Sequence, residues 1–79
     1  MRIVTDRKFD KNFKKQPPKI KKEFEKRIEV FFEDIYDPIL HTHKLSGKLK
    51  DLWSFNVSRD IRVIFDTSQK DIIILVDIG

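Results

Sequence analysis

Cysteine is absent from this sequence, which excludes a disulfide staple, a thiolate nucleophile and a thiolate metal ligand. Glycine is almost absent: Gly47 and Gly79 are the only two, too few for a glycine-rich loop that cradles phosphates. Long apolar runs are missing as well. The longest, residues 72–76, falls far short of the roughly 20 residues that span a bilayer. The opening Met1-Arg2-Ile3-Val4-Thr5 has no apolar segment of the secretory kind and reads as the first element of the fold. These absences fit a cytoplasmic chain with no membrane partner. Repeats and low-complexity tracts are missing too, and 79 residues make one domain, 1–79.

Aromatic residues and charge are what the chain has in quantity. A domain of this size buries only about 60–65% of its unfolded surface, so seven Phe, one Trp and one Tyr must supply most of the core. The net charge of +4 is unevenly placed. Residues 1–27 hold eleven Lys/Arg against four Asp/Glu, leaving six against nine for residues 28–79. Such a basic half suits either a polyanionic partner or a solvated lysine-rich helix face.

Periodicity divides the chain into a strand, two helices and three further strands. Residues 2–5 are β-branched and weakly alternating, hence a strand, and Asp6 caps a helix over 7–16 whose apolar face is Phe9 and Phe13. Pro17-Pro18 ends that helix and opens the next. Ile20, Phe24, Ile28, Phe31 and Ile35 then recur at helical spacing, with Phe32 widening the stripe, over about 19 residues before Asp37-Pro38. Residues 39–51 read as a loop. Alternation follows: Leu52, Trp53, Phe55 and Val57 are interleaved with Ser54, Asn56 and Ser58, whose side should face solvent or a ligand. Arg59-Asp60 makes a turn, 61–65 a strand, 66–70 a second turn and 71–78 the last strand. That strand is apolar without alternation, so both its faces should be covered. The expected fold is α+β: a three-stranded antiparallel meander joined by the first strand on the open side of the last, four strands in all, with the helix hairpin on one face.

Three chemistries can be assembled from the side chains. His41-x-His43 could share a metal ion, but a third His and any Cys are missing, so none is expected. Ser46, His43 and Asp60 could form a hydrolytic triad, but no nucleophile-elbow motif surrounds them. The third is metal-free RNA cleavage, in which a ribose 2′-OH attacks the neighbouring phosphate. His43 is a proton carrier suited to neutral pH, Arg62 a fixed cation whose fork matches phosphate oxygens, and Lys44, Lys48 and Lys50 could hold the flanking backbone. A solvent-facing or salt-bridged Arg62 is the plainer alternative.

The order of elements, the run "HKLSGKLKDLWSFNVSRDIRVIF" and the closing "IILVDIG" resemble the RelE/ParE superfamily of bacterial toxins, most closely its RelE/StbE and YafQ-like branch. The resemblance spans essentially the whole chain. It implies the toxin of a type II toxin–antitoxin system, a ribosome-dependent mRNA endonuclease that blocks translation, needs no cofactor and is held inactive by a cognate antitoxin. His43 then matches a histidine used catalytically in YafQ-like members, Asp60 a functional aspartate in the turn, and Arg62 the strand arginine that RelE-like members place on the scissile phosphate. Two departures weaken the carry-over. Ser54 and Asn56 stand where relatives have strand lysines or a histidine, and relatives continue past the Gly79 position with a histidine and an aromatic. A form without that tail is expected to be weak or inactive and to self-associate. The alternative on the same fold is a ParE-like toxin that inhibits DNA gyrase by binding, without nuclease chemistry.

Overall fold

A computed structural model describes residues 1–47 and 51–79. In chain order the elements are β1 (Arg2–Thr5), α1 (Arg7–Lys14), α2 (Pro18–Glu33), a short 3-10 helix (Pro38–Leu40), β2 (His43–Lys44), β3 (Leu52–Asn56), β4 (Arg62–Gln69) and β5 (Ile72–Ile78). They form an α+β fold whose sheet runs β1-β5-β4-β3-β2. β3, β4 and β5 are the expected antiparallel meander, and β1 lies parallel to β5 on its open side. The sheet has five strands rather than four. The addition, β2, pairs His43 with Ser54 and Lys44 with Trp53. Two exposed residues cannot display an alternating pattern, so this strand exists only through its partner.

Local chemistry sets the helix ends. Asp6 caps α1 by accepting from the backbone N–H of Lys8 at 2.8 Å and of Phe9 at 3.2 Å. Pro17 and Pro18 sit at the start of α2, where a missing N–H costs nothing. α2 is shorter than its apolar stripe: it stops at Glu33, and Asp34 turns extended and accepts from the Tyr36 N–H at 2.9 Å. A short acidic side chain that captures a nearby N–H competes with the helical hydrogen bond. Ile35 therefore packs on the core from beyond the helix. Phe32 does not widen the buried stripe, being 57% exposed.

The core lies between the helices and one face of the sheet. Phe31 has no exposed surface and meets Phe55 at 4.7 Å and Phe65 edge-on at 4.9 Å. Phe9, Phe13 and Phe24 form a second aromatic group that closes the helix hairpin. Where the pairing of β1 ends at Leu75, α1 takes over beside β5: Asn12 Nδ2 donates to Asp77 Oδ1 at 2.6 Å and Lys8 Nζ lies 3.3 Å from Oδ2.

The later strands differ from the sequence pattern in two ways. β4 runs on through residues 66–69, which read as a turn; the reversal is at Lys70 and Asp71, where Asp71 has φ 62°. β5 is interior, as expected, but only Ile73, Leu75 and Ile78 are buried, while Ile72, Ile74 and Val76 on its other side are half-buried. The sheet face away from the helices is thus only partly covered among the described residues. Ser54, expected on a wet side, has no exposed surface at all.

Candidate functional site

Strand register decides which polar side chains meet. Directly opposed residues of an antiparallel ladder share a face, and the pairs His43 with Ser54, Ser54 with Ile64 and Asn56 with Arg62 run across β2, β3 and β4. Phe55, Val63 and Phe65 alternate with them and point into the core. His43, Ser54, Asn56 and Arg62 therefore stand together on the face away from the helices. At the edge of that face the turn after β3 is pinned by Val57 N–H donating to Ile61 O at 2.8 Å and Ile61 N–H donating to Ser58 Oγ at 3.2 Å. Arg59 and Asp60 ride exposed at its tip.

These elements enclose an open cleft of about 460 Å³ lined by His43, Asn56, Arg59, Asp60, Ile61, Arg62 and Gly79. The floor is fixed by backbone: Arg62 and Gly79 exchange hydrogen bonds, the tighter being Gly79 N–H to Arg62 O at 3.0 Å. Among the described residues Arg59, Asp60 and Arg62 take part in no ion pair. Two guanidinium groups thus face an open space beside a histidine, the side-chain set that a phosphodiester needs.

His43 is held at both ring nitrogens. Nδ1 lies 2.9 Å from the backbone carbonyl of His41, and Nε2 lies 3.2 Å from Ser54 Oγ. His41 itself has φ 49°, the left-handed region, where a residue with a Cβ is strained. It ends the 3-10 helix that Asp37 caps through the Ile39 N–H at 3.0 Å.

The structure brings together His43, Asp60 and Arg62, which are 17 to 19 positions apart in two cases and adjacent to a turn in the third. Lys44 is placed elsewhere: paired with Trp53, it lies on the other face of the sheet and does not line the cleft. Lys48 and Lys50 lie outside the described residues. Asn56 and Arg59 are lining residues that the sequence did not single out; the signals were their place on the polar side of an alternating strand and beside Asp60 in the turn. Both also line a smaller cleft of about 210 Å³ with Arg27, Ile39, His41 and Ser58. There Arg27 is engaged, its Nε with Glu23 at 3.1 Å and its Nη1 with the Ile39 carbonyl at 2.7 Å. His41 and His43 thus line different clefts, and among the described residues no group of three or more His, Cys, Asp or Glu is placed to hold a metal ion.

No protein-family model and no curated protein sequence matches this chain. Solved structures do. YafQ from E. coli strain BL21(DE3) aligns with a TM-score of 0.81 at 14% identity, over 100% of this chain and 92% of its own. A chain of the archaeal RelE–RelB complex from Pyrococcus horikoshii OT3 aligns with a TM-score of 0.76 at 21% identity, over 99% and 91%. A metal-bound toxin from Helicobacter pylori aligns with a TM-score of 0.73 at 25% identity, over 100% and 92%. The chain has the fold of the RelE/ParE toxins.

Proposed function

We propose that this chain is the toxin of a type II toxin–antitoxin pair and that it acts as a metal-independent endoribonuclease on mRNA at the ribosome. The observation that carries the reading is the gathering of His43, Asp60 and Arg62 with Arg59 and Asn56 around one open cleft. In this reaction the 2′ oxygen bonds to phosphorus as its O–H bond breaks, and the bond from phosphorus to the 5′ oxygen opens to leave a 2′,3′-cyclic phosphate. His43 takes the 2′ proton. Arg62 and Arg59 hold the charge that builds on the phosphoryl oxygens. Asp60 sets a carboxylate on the rim of the same cleft, and the proton that His43 takes passes through solvent water to the leaving 5′ oxygen, which restores the neutral ring. Lys44 holds RNA backbone from outside the cleft, and Lys48 and Lys50 are assigned to the flanking backbone by their charge alone.

The partner is a cognate antitoxin with an acidic toxin-wrapping segment. The basic half of the chain, with eleven Lys/Arg in residues 1–27, supports that choice.

Primer extension on a defined mRNA, with and without ribosomes and with the His43→Gln and Arg62→Ala variants beside the wild type, tests the nuclease reading. The expected result is weak ribosome-dependent cutting by this form that each substitution abolishes, each removing a transition-state contact or proton carrier worth on the order of 100-fold. Intact mRNA in every arm together with inhibited gyrase supercoiling would replace it with the binding-toxin reading.

A further inference from the structure

We infer that Ser54 is a positioning residue for His43: its buried hydroxyl, acting with the His41 carbonyl, decides which ring nitrogen carries the proton and where the other one points. The use of that arrangement in RNA cleavage rests on the function proposed above; the arrangement itself does not.

The assignment follows from what each group can do. A backbone carbonyl only accepts, so the 2.9 Å contact with His41 O requires the proton of His43 to sit on Nδ1. In the neutral ring Nε2 is then a bare acceptor, and the contact at 3.2 Å requires Ser54 Oγ to be the donor. Backbone sets both partners. Ser54 is directly opposite His43 in the β2–β3 ladder, and His41 aims its carbonyl from a left-handed conformation that a residue with a Cβ adopts at a cost. Ser54 has no exposed surface whereas His43 is exposed, so the serine side of the pair is shielded from competing water.

A hydroxyl suits this place because it can reverse. Toward the neutral ring it donates; toward the protonated ring it turns about its Cβ–Oγ bond and accepts from Nε2–H. A substrate hydroxyl that reaches Nε2 from the exposed, cleft side of the His43 ring takes the place of Ser54 at the lone pair and delivers its proton there, its O–H bond breaking as the N–H bond forms. Ser54 then accepts that N–H until the proton leaves. Both ring nitrogens stay hydrogen-bonded throughout, and the ring keeps its orientation.

Long-range 15N spectra of the histidine rings, taken about two units above the ordinary imidazole value, read the tautomer without any substrate. In the wild type, His43 is expected to show a protonated Nδ1 and a bare Nε2. Ser54→Ala should lower the ratio of that tautomer to the Nε2–H form by about fivefold, the worth of one neutral hydrogen bond, while Ser54→Thr, which keeps the hydroxyl, retains the wild-type ratio. His41 serves as the internal control. A wild-type ring protonated on Nε2, a Ser54→Ala spectrum identical to wild type, or a Ser54→Thr ratio as low as that of Ser54→Ala each overturns the inference. Cleavage by the wild type and His43→Gln keeps the two readings apart: equal cutting by both defeats the nuclease proposal, while the ring spectra alone decide on Ser54.

Discussion

Phe31 shows how unevenly this small core is shared among its residues. It is fully buried and contacts both Phe55 and Phe65, so it joins α2 to β3 and β4. Phe31→Ala removes most of a large side chain from a site with little freedom to collapse and is expected to cost about 3–5 kcal/mol, measured by urea denaturation. The fold perturbs the ionisation of Asp77. Burial pushes its carboxyl up, but hydrogen bonds from Asn12 and the Ile78 N–H and the nearby Lys8 ammonium outweigh that and hold it below its ordinary value of 3.8. A carboxyl with a lowered native value stabilises the fold above pH 3.8 and loses that contribution as pH falls through the native value. Acid unfolding should therefore be steeper for the wild type than for Asp77→Asn, and the stability gap between the two should narrow below that pH. Equal gaps at pH 7 and at the acid limit would contradict this assignment.

At the scale of elements, caps and turns were legible where a side chain competes with the backbone in one place. Asp6, the Pro17-Pro18 break and the Arg59-Asp60 turn all stand where the sequence puts them. Asp6→Ala should lower stability by about 1 kcal/mol, read as a shift in denaturation midpoint with unchanged slope. Glycine at position 6 should cost less than alanine, as expected for a lost cap. What misled was polarity. Asp66, Thr67, Ser68 and Gln69 look like a turn, yet the ladder with β5 continues through them, with register shifts and the Asp66 side chain accepting from Ser68 N–H at 2.7 Å. They lie exposed or half-buried beyond the helix-covered area, so nothing demands apolar side chains there.

Across the whole molecule the two ends of the chain are joined. β1 forms a ladder with β5, from Arg2 beside Ile72 to Thr5 beside Leu75, and Arg2 N–H donates to Asp71 O at 2.9 Å. Deleting residues 2–5 strips one edge of β5 and part of its apolar cover. The shortened chain should lose its cooperative thermal transition, followed by circular dichroism; a sharp two-state melt near the wild-type midpoint would show that the meander and helices suffice. The same parallel pairing closes a loop across most of the chain and is the slowest kind of contact to form.

The sequence by itself determined the longer elements and their order, the composition of the core and the class of chemistry open to the chain, because periodicity, caps and residue inventories are local properties. It did not determine which polar residues meet. That came from cross-strand register: a two-residue strand with no readable pattern places His43 over Ser54, a reversal after β3 returns Arg62 to face Asn56, and Lys44, one step along the strand, lands on the opposite face. Side chains alternate across a strand, so one residue of register decides whether a group belongs to the cleft, and only the tertiary pairing fixes that register.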